Sequence, residues 1–298
     1  MVMEVAVILN PIAGQWQLGS VKDKIAYEFR KHDIGCLVME TQSASHGIDL
    51  AGKAVESGFK IIVSAGGDGT VNEVANAIAG TGASLGILPL GSVNVLAREL
   101  KIPLDLKNAV SCIAGNRTMN IDLGIANGRY FTLMAGFGFD AEVVSTVLQP
   151  IKDMIGASAY IFKGLEKLAT YNATDVTLEM PEQTYTSKAF LIMVANAATY
   201  TYRLRITPYA AVDDGLLDIC IFERSSLDKL GFARQITDLF MDRHLEHDEV
   251  KYFRTTNVRV ISSPDVAVQI DGDAFGTTPV DIRIAPGILP VIVPANGQ

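Results

Sequence analysis

Cysteine is scarce in this sequence, with three residues, Cys36, Cys112 and Cys220, each set among apolar neighbours. An odd, scattered set offers no disulfide framework and fits a reducing compartment. Long apolar runs are also missing. No uninterrupted stretch approaches the roughly 20 residues of a spanning helix, so membrane contact is expected to be peripheral. The start, residues 1–10, has no basic segment, and its apolar run is too short for a signal peptide, so it reads as a first strand. Positive charge is in deficit: 25 Lys and Arg stand against 33 Asp and Glu, a net charge of −8. That balance argues against nucleic acid as a partner and provides no general attraction to anionic lipid. These absences together predict a cytoplasmic chain that meets membranes only from the side.

What the sequence has in quantity is apolar surface. Hydrophobic residues make up 49% of 298, more than one core usually holds before it divides, so two domains are expected. The first half alternates short strand-like runs at 4–9, 35–40, 60–65 and 84–88 with helical spacing, as in Val21, Ile25, Phe29 and in Val71, Val74, Ile78. This alternation is the grammar of a parallel sheet with crossover helices, over residues 1–120. Near residue 120 the grammar changes, because runs at 120–126 and 129–135 flank Asn127-Gly128, a tight hairpin turn. Antiparallel strands follow at 175–179, 185–194, 216–222, 257–261, 266–270 and 280–284, with helices at 139–148, 157–168 and 227–240. The second domain is therefore 121–285. A last apolar run at 288–293 holds Pro290 and reads as an edge strand, free to return to either domain and to complete the first with residues 286–298.

Three turns of small residues end strands of the parallel sheet. The third strand runs into Gly66-Gly67-Asp68-Gly69-Thr70, with a helix beginning at Val71-Asn72-Glu73. Glycines admit positive φ and close backbone approach, and the helix start offers N–H groups and a positive dipole end to a polyphosphate. An ordinary βα connection capped by Asp68 or Thr70 has the same local look. The spacing is neither that of a Walker A loop nor that of a dinucleotide fold. The first strand ends in Asn10-Pro11-Ile12-Ala13-Gly14 and the fourth in Gly91-Ser92-Val93-Asn94. In an open parallel sheet such strand ends share one crevice, the usual place for a ligand. Thr41, just past the second strand, either touches a nucleotide or caps the next segment.

These pieces together resemble the diacylglycerol kinase catalytic-domain family, which includes sphingosine and ceramide kinases and bacterial lipid kinases. Asp122-Leu123-Gly124, Asp213-Asp214-Gly215-Leu216-Leu217 and Asp271-Gly272-Asp273 extend the resemblance over nearly the whole chain, in matching order. The resemblance implies a nucleotide-binding α/β domain, an antiparallel β-sandwich domain for the lipid, and an active site in the cleft between them. It implies an ATP site along Asn10 to Gly14, Thr41, Gly66 to Glu73, Ser92 and Asn94. It further implies a structural Mg²⁺ on the Asp214 carboxylate and the carbonyls of Ala211 and Leu216, an oxygen-only set suited to a hard cation. Without it, Asp213-Asp214-Gly215 is a solvated turn and Asp271-Gly272-Asp273 a hairpin turn. Asp273 holds the place of the general base, where the family usually has Glu, so its reach is one methylene shorter. Ser92 replaces the usual Thr, and Val95 stands where many members carry Asp. Asp68 and Asp122 are expected to order catalytic Mg²⁺.

The implied reaction is phosphoryl transfer from ATP, with Mg²⁺, to a hydroxyl of a membrane lipid. Two other readings compete: a soluble-metabolite kinase of the NAD kinase type, and a nucleotide-dependent lipid-binding protein with impaired catalysis. Pairing through the second domain is known in the family, so a homodimer is an expectation. Three further signals stay open. Trp16 either covers a nucleotide or packs on a helix. Residues 200–205, Tyr-Thr-Tyr-Arg-Leu-Arg, either rim a lipid entrance or form an exposed strand edge. His244 and His247 have a metal-capable spacing, but they lack the His-Glu-x-x-His order and lie in a charged stretch.

Overall fold

The computed structural model describes residues 3–14, 20–146, 171–201 and 204–295. Trp16, Tyr202, Arg203 and the helix expected at 157–168 lie outside them. The chain divides into two compact units, Met1–Leu123 with Pro286–Gln298, and Gly124–Ala285.

The first unit holds four parallel strands, β1 (Glu4–Leu9), β2 (Gly35–Glu40), β3 (Ile61–Gly66) and β4 (Ser84–Pro89), in the order β4-β3-β1-β2. Crossovers run through α1 (Ser20–Arg30), α2 (His46–Glu56) and α3 (Asp68–Ile78), with α4 (Val95–Glu99) and α5 (Leu106–Gly115) after β4. β1 and β3 are apolar along almost their whole length because helices cover both faces of a parallel sheet. Phe29, Ile25, Val63 and Val110 share one core with them. The helix α5 escaped the sequence reading. Its start is marked by Asp105, whose carboxylate accepts the Asn108 N–H at 3.0 Å as an N-cap.

From β5 (Thr118–Ala126) the chain enters the second unit. Its strands are β6 (Arg129–Phe131), β7 (Met134–Gly138), β8 (Thr174–Glu179), β9 (Thr184–Ala195), β10 (Thr199–Thr201), β11 (Leu204–Arg205), β12 (Leu217–Glu223), β13 (Val250–Thr255), β14 (Asn257–Ser263), β15 (Ala267–Ile270), β16 (Asp273–Thr277) and the first part of β17 (Val280–Ile292), whose end from Pro286 belongs to the first unit. Among the described residues, helices α6 (Phe139–Thr146) and α7 (Lys229–Leu239) and a 3-10 turn at His244–Glu246 interrupt them. The twelve-residue strand β9 serves two layers. Its first half pairs antiparallel with β8, which continues to β14 and β17; its second half lies between β7 and β12. Apolar side chains of both layers, among them Phe137, Leu178, Val194, Ile219 and Val260, fill one core. This is the antiparallel sandwich that the resemblance implied.

Two strand expectations need correction. The run at 129–135 is broken into β6 and β7, because Thr132, Leu133 and Met134 turn their N–H groups toward the Asp271 carboxylate. The run at 288–293 is no separate edge strand. It is the end of β17, which pairs with β14 at Val280–Arg283 and, after Pro290, lies parallel to β4 at Val291.

Candidate active site

In the first unit the three strand-end turns converge through specific contacts. The Asn10 N–H donates to the Ala65 carbonyl at 2.9 Å, and Asn10 Nδ2 reaches Thr70 Oγ1 at 3.4 Å. Asn10 Oδ1 accepts the Ile12 N–H, shaping the Pro11-Ile12-Ala13-Gly14 turn, and Gly14 has φ 72°. The Leu90 and Gly91 N–H groups both donate to the Gly66 carbonyl, at 2.9 and 3.2 Å. Gly67 and Gly91 are so close that a Cβ on Gly91 would stand 2.5 Å from the Gly67 Cα. No side chain larger than hydrogen fits at Gly91, so the two turns pack backbone on backbone.

The α3 N-terminus carries no side-chain cap: Gly67 is its N-cap residue. A helix start presents its first-turn N–H groups and a positive dipole end, which is the donor set a phosphate uses. Asn94, at φ 54° and ψ 59°, locks the fourth turn. Its Oδ1 accepts the Gly91 N–H at 2.9 Å, and its Nδ2 donates to the Gly91 carbonyl at 2.8 Å. Ser92, between them, is exposed. Asp68 Oδ1 accepts the Leu96 N–H at 3.3 Å, tying the third turn to α4. A carboxylate at this place suits a hard cation that keeps waters and phosphate oxygens as its other ligands.

Other expected residues have different surroundings. Val71 is buried, so only its main chain can meet a ligand, and buried Asn72 accepts from Asn76 Nδ2. Both Glu73 oxygens are engaged by the start of α2, Oε1 with the Ser45 N–H at 2.7 Å and Oε2 with the Gly47 N–H at 2.8 Å. Glu73 thus caps a neighbouring helix from 26 and 28 residues away. The Thr41 N–H closes on the Leu9 carbonyl at 2.8 Å, which sets the end of β2 beside that of β1. Asp122 is buried, and its Oδ1 accepts the Gly287 N–H at 2.6 Å, anchoring the return of the C-terminal segment.

In the second unit, Asp271-Gly272 forms the tip of the β15–β16 hairpin with φ 48° and 86°, and Asp273 follows as the first residue of β16. The Asp271 carboxylate accepts from the N–H groups of Thr132, Leu133 and Met134 and from the Thr132 hydroxyl, all between 2.7 and 2.9 Å. Gln269 Oε1 accepts the Gly272 N–H at 2.7 Å, and Gln269 Nε2 donates to Asp140 Oδ2 at 2.8 Å. Tyr200 donates to the other Asp140 oxygen. Asp273 itself is half exposed, with Arg129 Nη2 3.5 Å from Oδ2. Sequence reasoning missed Gln269, Asp140 and Tyr200 as supports of the tip. They lie on three separate elements, and no spacing links them.

The cation set expected at Asp213-Asp214-Gly215 is differently occupied. Asp214 Oδ1 accepts the Leu216 N–H at 3.0 Å, and Oδ2 pairs closely with Arg254, whose Nε lies 3.2 Å from buried Asp218. A guanidinium already neutralises the carboxylate, so the Ala211, Asp214 and Leu216 set does not fit a metal as it stands. Among the described residues no group of three or more His, Cys, Asp or Glu could hold a metal ion. His244 is buried, with Nε2 on the Ile206 carbonyl at 2.9 Å, while His247 pairs with Asp238 at 2.7 Å, so the two rings serve separate structural contacts.

Comparison with known proteins agrees with this architecture. Residues 4–126 match the diacylglycerol kinase catalytic domain, and residues 134–293 match the YegS C-terminal NAD kinase beta sandwich-like domain. A diacylglycerol kinase of Staphylococcus saprophyticus is 28% identical over 92% of this chain and 90% of its own length. A Synechocystis protein of uncharacterised activity is 30% identical over 98% of this chain and 70% of its own. A crystal structure of a diacylglycerol kinase from Bacillus anthracis has the same fold, with TM-score 0.77 and 22% identity over 99% of this chain and 98% of its own. The chain belongs to the diacylglycerol kinase catalytic domain family, and with it to the lipid kinases.

Proposed function

We propose that this lipid kinase transfers the γ-phosphoryl group of ATP, with Mg²⁺, to a hydroxyl of a diacylglycerol-like membrane lipid. The observation that carries the reading is the convergence of three strand-end turns on an uncapped helix start, with Gly67 and Gly91 in backbone contact. Main-chain N–H groups from Gly67 to Thr70 hold and align the phosphates, and the α3 dipole favours their charge. Bound Mg²⁺ supplies neutralisation of that charge. Asp68 is the residue that would hold it, because a bare carboxylate beside phosphates would repel them. Asp273 takes the proton of the lipid hydroxyl as its oxygen bonds to the γ-phosphorus and the bond to the bridging oxygen of ADP breaks. A diacylglycerol-like acceptor resides in a membrane, so the reaction calls for peripheral contact with one.

The test is a labelled-ATP assay over diacylglycerol, sphingoid bases and isoprenoid alcohols in detergent micelles, scored against water-soluble acceptors that include NAD. Phosphorylated glycerolipid in the presence of Mg²⁺ is the expected result. Product only from a water-soluble acceptor would contradict the proposal, and binding of nucleotide and lipid with no product would show a lipid-binding protein instead.

A further inference from the structure

The helix α7 and its ends carry large apolar side chains on the outer face as well as the inner one. Its inner face is firmly seated. Phe232 is fully buried, with its ring stacked on Phe190 at 4.7 Å and edge-on to Phe139 at 5.2 Å, and Gln235 Nε2 donates to the Glu223 carbonyl at 3.3 Å. Its outer face should then be polar. Instead Leu230 is 76% exposed, Met241 60%, Leu227 59% and Phe240 55%. These are four of the ten large exposed apolar side chains among the described residues, all within one segment of the chain.

At helical pitch, Leu230, Arg234, Thr237 and Met241 fall on one stripe about 60° wide, with Phe240 on its flank and exposed Leu227 just before the helix. The main-chain bond from the Met241 N–H to the Asp238 carbonyl carries the spiral past the C-terminal end, while Asp228, at φ 50° and ψ −123°, ends it at the start. The stripe's one charge is the guanidinium of exposed Arg234, and Lys229 lies beside the first turn. Asp238, at the border, is mostly covered and shared between Arg234 at 3.9 Å and His247 at 2.7 Å. In a chain of net charge −8, the stripe itself carries one cation and no carboxylate, with Asp238 at its border and exposed Asp242 just past its end.

We propose that the outer face of α7 docks on a lipid bilayer with anionic headgroups, the helix lying in the plane of the interface. Leucine, methionine and phenylalanine enter the acyl boundary, while Arg234 and Lys229 extend to the phosphates. Charge complementarity selects this occupant: an acidic protein partner or a second copy of this acidic chain would call for paired charges, and the stripe has one cation among apolar groups. The choice of a membrane rests on the lipid-kinase reading, and the face itself is independent of it.

The experiment compares the full chain with Leu230→Glu/Met241→Glu and with Leu230→Gln/Met241→Gln, whose folding is checked by thermal melting. Each is sedimented, without ATP, with vesicles of equal parts phosphatidylcholine and phosphatidylglycerol. The expected result is a fall of about tenfold or more in vesicle partition for the Glu pair and a smaller fall for the Gln pair, with unchanged phosphorylation of a dispersed short-chain diacylglycerol. Equal partition of parent and variants, or no partition by the parent, would overturn the proposal. So would a dimer, seen by light scattering, that the Glu pair splits while vesicle partition stays unchanged. Vesicle binding that falls as expected in a chain that phosphorylates no lipid would leave the docking face standing and remove the kinase reading instead.

Discussion

The two units present their functional turns by opposite means. In the first, the Gly66–Thr70 turn is shaped by backbone: glycines, an uncapped helix and main-chain hydrogen bonds to the neighbouring strand ends. In the second, the Asp271-Gly272-Asp273 tip is held by side chains from remote elements, with Asp271 on Thr132 to Met134 and Gln269 between Gly272 and Asp140. A backbone-built turn binds what approaches it and tolerates little added volume. A side-chain-held tip fixes one carboxylate in place and depends on every support.

The contrast can be broken most strongly at Asp271. Thr132, Leu133 and Met134 are buried, so Asp271→Ala strands three N–H groups. A loss of about 3–5 kcal/mol is expected in urea unfolding, with collapse of turnover. In the first unit, Gly91→Ala puts a methyl 2.5 Å from the Gly67 Cα. Its expected cost is about 1–3 kcal/mol with weakened ATP binding, checked by calorimetric titration. Gln269→Met, close in volume, removes the acceptor of the Gly272 N–H and should cost about 1–2 kcal/mol. Its sharper signature is a fall in kcat with ATP affinity unchanged, since only the tip is loosened.

The smallest effect concerns His244, whose pKa is lowered by burial despite its bond to the Ile206 carbonyl and the nearby Asp242. The native state keeps the ring neutral while the unfolded chain takes up a proton near pH 6.5, so the unfolded state binds more protons below that pH. Stability should therefore fall as pH drops from about 6.5 toward the native pKa, by at most about 1.4 kcal/mol per pH unit. In denaturant midpoints measured across this range, His244→Gln should flatten the slope.

The same contrast explains what the sequence made legible. Strands β1, β2 and β3, the Asn127-Gly128 turn with φ 44° and 92°, and the meeting of three strand ends all follow from local pattern and from parallel-sheet topology. The break between β6 and β7, the capping of α2 by Glu73, the Arg254 partner of Asp214 and the Gln269–Asp140–Tyr200 support arise from residues 26 to 139 positions apart. Glu73 and Asp122 carry family-like positions, yet their contacts are those of anchors for α2 and for the C-terminal return. Such pairings leave no period in the chain. The last run, expected as an edge strand free to complete the first unit, is the end of β17 and meets β4 where Val291 pairs with Leu85, a partner too distant in sequence for any local pattern around Pro290 to reveal.

The most direct test separates binding from transfer in Asp273→Asn. This substitution keeps the shape and removes the proton acceptor from a half-exposed position whose ion pair with Arg129 contributes little to the fold. Mg-ATP affinity and melting temperature are expected to equal the parent's, with lipid phosphorylation slowed by about 100-fold or more. Phosphorylation of lipid at the parent's rate by this variant would contradict the role of Asp273 as proton acceptor.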